Sequence, residues 1–232
     1  MQAQIYDDLY AGRGKDYAAE STLVASIILD RCPGATSLLD VGCGTGGHLR
    51  HLRSHFADVS GLEPSAPMRA IAATALPDIT LHSGDMRGFS TGRSYDAVIC
   101  MFSVIGYAGV HTGLHSAIAA MAAHLNPGGV LVIEPWLFPD RYDDGHIGND
   151  FTKTDQRVIF RMSHSGLDGR VSILTMHYLV GERGGVRHFS DVHRLTMFTR
   201  AEFDGAFKSA GLTSEFLEPA FGRGLFISRR PT

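Results

Sequence analysis

The chain has 232 residues, 44% hydrophobic and 19% charged, enough for one α/β domain plus an insertion or small second lobe and too apolar for disorder. With 21 Lys+Arg against 24 Asp+Glu, the net charge of −3 argues against a nucleic-acid partner. No apolar run reaches the length of a membrane span, and Met1-Gln2-Ala3-Gln4 lacks a basic region leading into an apolar one, so a cytoplasmic protein without a membrane partner is expected.

Residues 5–17 mix aromatics with Gly12-Arg13-Gly14-Lys15 and read as an irregular or partly helical arm. Helical spacing follows over 16–31, through Ala19, Leu23, Val24, Ile27 and Ile28, and Pro33-Gly34 stops it. Leu38 to Val41 is a buried strand that runs into a glycine turn, with a helix expected from Gly47 to Phe56. Ala57–Glu63 is a second strand, Pro67–Leu76 a helix, and Ile79–His82 a third strand. Tyr95–Cys100 is a fourth strand, apolar in its second half as a central parallel strand should be. Thr112–Leu125 is helical, Asn126-Pro127-Gly128-Gly129 a turn, and Val130–Glu134 a fifth strand. This alternation implies a parallel sheet with right-handed crossovers.

Beyond Pro135 the pattern changes. Residues 139–151 are polar, and three stretches of two-residue alternation follow, 152–164, 170–180 and 186–198, separated by glycine turns. They predict an antiparallel sheet inserted at 138–198, for substrate binding or dimerisation, between core segments 1–137 and 199–232. A helix over Arg200–Ala210 ends at Gly211, and strands 213–217 and 224–228 flank a loop with Phe221, Gly222 and Arg223. The fold class is α/β, with a mostly parallel, seven-stranded, Rossmann-like sheet. Cys32, Cys43 and Cys100 are odd in number and widely spaced, and read as reduced small apolar residues.

Three strand ends carry ligand-type groups. Asp40 precedes Gly42, Gly44 and Gly46, where glycines admit close approach of a ligand and a carboxylate suits a positive amino group. Glu63 ends the second strand, placed to accept hydrogen bonds from ribose hydroxyls. Asp85 follows the third, placed to accept an exocyclic amine, with Met86 offering a backbone N–H and an apolar face. Together they describe an adenosine site. Gly42-x-Gly44-x-x-Gly47 also fits a dinucleotide pattern and keeps a nicotinamide oxidoreductase as an alternative, although Asp40 would repel a pyrophosphate.

Asp-x-Gly-x-Gly-x-Gly resembles motif I of class I S-adenosylmethionine-dependent methyltransferases, and Asn126–Gly129 resembles their post-motif turn. The blocks Gly12–Tyr17, Ser37–Gly46, Gly84–Arg87, Met101–Ser103, Glu134–Trp136, Ser163–Ser165 and Gly222–Phe226 are similar to the amino-sugar N,N-dimethyltransferases of the desosamine and mycaminose type. That family acts on dTDP-linked amino-deoxyhexoses in antibiotic biosynthesis. The resemblance implies that Tyr17, Asp40, Gly42, Gly44, Gly46, His48, Glu63, Asp85, Met86 and Met101 hold the cofactor, with Tyr17 on its carboxylate and Met101 near its sulfonium. It implies Arg223 and Lys15 at the diphosphate, with Trp136 and Tyr178 lining the sugar or thymine pocket. Tyr6 and Ser103 are further substrate-side candidates, and Arg161 is a second cation to test for the phosphates. Departures from the family are Tyr107 where relatives have His, Leu137 where a second Trp is common, and Phe221 before Gly-Arg-Gly.

Methyl transfer from a sulfonium needs alignment more than a strong base. Tyr107 is the candidate for orienting the amine, since a phenol with pKa near ~10 is a poor base at neutral pH. His48, His51 and His55 share a helical face, but no acid or cysteine stands at ligand spacing, so no metal is expected. A homodimer is expected from the free face or edge of the inserted sheet. A methyltransferase acting on another small molecule is a further alternative.

Overall fold

The computed structural model describes residues 2–218 and 222–232, so Phe221 lies outside the described residues. A seven-stranded sheet has the order β10-β11-β5-β4-β1-β2-β3. Its strands are β1 (Ser37–Val41), β2 (Asp58–Leu62), β3 (Thr80–His82), β4 (Tyr95–Cys100), β5 (Leu125–Ile133), β10 (Ser214–Leu217) and β11 (Leu225–Arg229). Pairing is parallel from β3 through β5, and β11 runs antiparallel to both its neighbours. The mostly parallel sheet expected from the alternation is present. β1 is buried at every position because helices cover both faces. Leu39, Val41, Val98 and Cys100 enter one core cluster, while Leu38, Ala97 and Ile99 enter the other.

Local chemistry explains the helix ends. Helix α2 (Tyr17–Arg31) starts where the Asp16 side chain accepts from the Ala19 N–H, and α4 (Ala66–Ala75) starts where Ser65 accepts from Met68. Helix α6 (Arg200–Ser209) opens with a Thr199/Glu202 capping box, and Gly211 follows its end at φ +75°. The buried face of α2 is Ser21, Val24, Ala25, Ile27 and Ile28, whereas Leu23 is 40% exposed. Helix α5 (His111–Ala123) covers the other side of the sheet with Leu114, Ala117, Ile118 and Met121.

Three boundaries differ from expectation. Helix α3 is only Leu49–Leu52. Strand β5 begins at Leu125, so Asn126–Gly129 lies within it as an irregularity; the register against β4 shifts there, and Gly128 has φ +78°. The insertion has four strands rather than three: β6 (Ile147–Lys153), β7 (Arg157–Asp168), β8 (Val171–Glu182) and β9 (Gly185–Thr196), in that order and all antiparallel. Residues 147–153 were expected to fall largely in a polar connection.

The arm is helical, α1 (Tyr6–Gly12), and it ties the insertion to the parallel sheet. Ile5 and Leu9 are each 1% exposed and pack with Ile159, Met176, Tyr178 and Val180 in a third core cluster. Burying two such side chains contributes roughly 1.5–3 kcal/mol each. Asp7 accepts from the Thr45 hydroxyl at 2.6 Å, so the same helix also touches the glycine turn.

At that turn Gly42, Gly44 and Gly46 have φ of +80°, +57° and +84°. A Cβ on Gly46 would stand 2.7 Å from Leu76 Cδ1. Gly46→Ala is therefore expected to destabilise the protein by about 1–3 kcal/mol, through the left-handed backbone and the clash together. Thermal denaturation measures it, and an unchanged midpoint would show that the turn adapts.

Candidate active site

The carboxyl ends of β1, β2, β4 and β5, together with α1 and the inner face of the insertion, enclose one cavity of about 1470 Å³. Of the residues singled out in the sequence, it is lined by Gly42, Gly44, Glu63, Asp85 and Met86 on the cofactor side. Tyr6, Lys15, Ser103, Tyr107, Trp136, Arg161 and Arg223 line the rest.

Glu63 holds the turn and the next helix together. Its Oε2 accepts from Gly44 N–H at 3.0 Å, and its Oε1 accepts from Ser65 N–H at 2.8 Å. Burial raises its pKa, and those two donors oppose the rise. Beneath the turn Asp40 is 2% exposed, and its Oδ2 has no hydrogen-bond partner. Burial, with the Glu63 charge nearby, pushes the Asp40 carboxyl up to about 7. A Cβ on Gly44 would meet nothing within 4 Å, so the turn is open where it faces the cavity. A buried acceptor lacking a partner under an open glycine turn fits a ligand that brings positive charge, and fits a pyrophosphate badly. Asp85 is the exposed member, held by Arg87 through Nε at 2.8 Å and Nη2 at 2.6 Å, which lowers its pKa.

The far wall starts at the end of β5. Glu134, 1% exposed, accepts from Phe102 N–H at 2.5 Å and faces Arg223 Nη1 at 3.5 Å. Arg223 Nη1 also donates to Ser103 Oγ at 3.1 Å, and the guanidinium lies 4.8 Å from the Trp136 ring. Phe102 and Ser103 hold φ of +54° and +63°, a strained pair fixed by these contacts. Lys15 Nζ sits 3.9 Å from the Phe102 ring and pairs with Glu20, which also meets His48 Nε2 at 2.9 Å. Over the insertion, Arg161 is 6% exposed and ion-paired to Asp150, which also pairs with Arg13. The Tyr107 hydroxyl and His193 Nδ1 share a hydrogen bond.

Six expected site residues lie off this wall. Tyr178 is fully buried and stacks on Phe189 beneath Ile5 and Leu9, so the expectation that it lines the substrate pocket is corrected: the arm covers that end of the insertion. Met101 is 2% exposed and belongs to the core cluster on the α2 side. Tyr17 packs edge-on against His48, and a Cβ on Gly47 would strike its ring. His48 is 6% exposed and paired with Glu20. Asp40 and Gly46 lie under the turn. Direct cofactor contact by these residues is not carried by the wall as it stands. Conversely, Glu134, Glu20 and His193 line the cavity without having been singled out. Glu134 had a signal, an acid at a fourth strand end; His193 had none. Among the described residues, no three or more His, Cys, Asp or Glu side chains converge as for a metal ion. No helix among them is long and apolar enough to cross a membrane.

A family model described as a methyltransferase domain matches residues 38–129. The dTDP-3-amino-3,4,6-trideoxy-alpha-D-glucopyranose N,N-dimethyltransferase of Streptomyces venezuelae is 49% identical over 97% of this chain and 96% of its own length. The crystal structure of Streptomyces venezuelae DesVI superposes with a TM-score of 0.96 at 48% identity, covering 100% of this chain and 99% of that one. The SAM-bound CalS10, an amino pentose methyltransferase from Micromonospora echinaspora, gives 0.90 at 46% identity over 97% and 96%. With identity of this order along essentially the whole chain, insertion included, this protein belongs to the dTDP-amino-sugar N,N-dimethyltransferases, a family of class I methyltransferases.

Proposed function

We propose that this chain uses S-adenosylmethionine to methylate, twice, the amino nitrogen of a dTDP-linked 3-amino-deoxy sugar in antibiotic biosynthesis. The observation that carries the reading is that one cavity joins the Glu63 and glycine-turn edge to Arg223 stacked on Trp136. One end suits an adenosine with a positive amino acid group, and the other suits a diphosphate.

When bound, the cofactor supplies a methyl group on a sulfonium with a good leaving group. The chain's own work is placement. Glu63 accepts from ribose hydroxyls, Asp40 supplies negative charge beneath the turn, and Asp85 with Met86 flanks the adenine. Arg223, with Lys15 as a second charge, holds the diphosphate, and Trp136 and Tyr6 line the sugar or base pocket. Ser103 anchors the Arg223 side chain. Tyr107 orients the amine. Holding nucleophile and methyl in line within a walled cavity supplies most of the rate.

Calorimetry with S-adenosylhomocysteine against NAD, followed by mass spectrometry of products from a dTDP-3-amino sugar and S-adenosylmethionine, tests the reading. Tight NAD binding without S-adenosylhomocysteine binding would overturn it, and methylation of only a 4-amino sugar or another small amine would change the substrate.

The protein acts as a cytoplasmic homodimer, with the outer face of the insertion as its interface. That face is apolar and exposed at Phe151, Phe160, Met162 and Leu179. Its three central cross-strand rows carry no Asp, Glu, Lys or Arg, so two copies meet without like-charge repulsion. Phe160→Glu is expected to shift sedimentation from dimer to monomer; a wild-type monomer at micromolar concentration would count against the interface.

A further inference from the structure

We propose that His193 takes, by way of the Tyr107 hydroxyl, the proton that the sugar amine must lose between methyl transfers. This rests on the amino-sugar reading above. The first transfer leaves a secondary ammonium, which has no lone pair. A second transfer requires that one N–H proton leave before the nitrogen attacks again.

Tyr107 is badly suited to keep that proton's charge balance alone. Burial in the cavity wall, with Tyr10 and Asp191 close by, pushes its pKa above that of a free phenol. It is, however, hydrogen-bonded to a better acceptor. The two side chains come from different elements, Tyr107 from the 3-10 turn Val104–Ala108 after β4 and His193 from the inner face of β9, and meet in the cavity wall. The Tyr107 hydroxyl and His193 Nδ1 share a hydrogen bond; the relay runs with the phenol as its donor, which requires the tautomer with the proton on Nε2. His193 Nε2 in turn stands 3.7 Å from Asp191 Oδ2, whose side chain is 41% exposed. Both residues line the cavity, Tyr107 at 44% exposure, and the imidazole adds a route from the phenol to Asp191.

The surroundings favour the neutral imidazole over the imidazolium. Burial lowers its pKa, Asp191 on its own strand opposes that, and Arg161 from β7 adds to the lowering. From the other elements, Tyr10 of α1, Tyr178 of β8 and Glu63 after β2 act on the Tyr107 side. At neutral pH the imidazole is the uncharged partner.

The step balances without a co-reactant. An N–H bond of the ammonium breaks and an O–H bond forms on Tyr107. The original phenol O–H breaks and an N–H bond forms on His193 Nδ1. The amine regains its lone pair, the phenol stays neutral, and the imidazolium is held beside Asp191 until its Nε2 proton passes to water. His193 acts through Tyr107 and is a positioning residue for the phenol as well as its proton acceptor.

The experiment compares wild type, His193→Gln and Tyr107→Phe by mass spectrometry of mono- and dimethylated product across pH. At pH 7, His193→Gln is expected to slow the second methylation roughly tenfold, below the 10²–10⁴ typical of base catalysis because water can also take the proton. The deficit should close as pH rises toward the amine's own pKa, between about 8 and 10 by comparison with α-amino and lysine amines. A deficit that is the same at every pH, or none, overturns the relay. Nitrogen NMR of His193 gives a readout independent of substrate: the Nε2–H tautomer is expected in wild type and a changed Nδ1 signal in Tyr107→Phe, whereas the Nδ1–H tautomer overturns the proposal. Absence of methyl transfer by wild type to any dTDP-amino sugar would instead overturn the functional reading, with the NMR result still deciding whether the imidazole is wired to the phenol.

Discussion

Asn in place of Asp40 is expected to stabilise the ligand-free protein and to weaken S-adenosylmethionine binding at once. Asp40 is 2% exposed, with Oδ2 unpartnered, and burial raises its pKa from 3.8 to about 7. Between those values the folded state holds a proton that the unfolded chain has released. Stability therefore falls as pH rises from about 4 to 7, and the whole penalty is present above 7. Removing the charge recovers it, on the order of 2–4 kcal/mol at pH 8, or about 5–10 °C in melting temperature. At pH 4 the gain should vanish.

Binding runs the other way. A positive group within about 6–10 Å of the carboxylate gains roughly 2–3 kcal/mol at an effective dielectric constant of 20. Losing that charge costs about 30- to 100-fold in affinity. Wild-type affinity should tighten as pH rises from 6 to 8, while Asp40 ionises, and the Asn variant should show no such slope. Thermal melts at pH 4 and 8, with calorimetry of the cofactor, separate these outcomes. An equal melting shift at both pH values would mean that no buried Asp40 charge is being relieved, and unchanged affinity would place the cofactor's charge elsewhere.

The cofactor edge was legible because its information is local. Asp40 stands near the end of β1, Glu63 directly after β2 and Asp85 shortly after β3, and strand position alone brings them to one end of the sheet. Strand β6 was not legible. Its inward residues are Gly148, Asp150 and Thr152; Asp150 pairs with Arg13 and Arg161, and Thr152 abuts Gly12. A strand whose inner face meets a polar arm lacks apolar alternation and reads as a loop. Tyr178 was misplaced because parity along β8 gives the face but not what covers it. Near the cavity that face shows Leu174 and Met176, and farther along it lies under α1. His193 pairs with a residue 86 positions away, and no local pattern encodes such a contact.

On the proposal that Arg223 holds the diphosphate, Arg223→Ala is expected to raise KM for a dTDP-amino sugar about 10- to 100-fold. Among the described residues its contacts to Ser103 and Glu134 both use Nη1, which leaves Nε and Nη2 as the fork that matches phosphate oxygens. Charge-assisted hydrogen bonds contribute about 1.5–3 kcal/mol, which gives that range. The diphosphate is remote from the reacting nitrogen and is held equally before and during transfer, so kcat should change little. Truncation also strips Glu134, 1% exposed, of a positive neighbour, so some loss of fold stability is expected as well. Arg223→Lys keeps that charge but not the fork. It should fold like wild type and still bind dTDP poorly, with S-adenosylhomocysteine affinity unchanged in both variants. Full dTDP affinity in Arg223→Lys would mean that a point charge suffices. Full affinity in Arg223→Ala would move the diphosphate to Lys15 or Arg161, and the latter is already committed to Asp150.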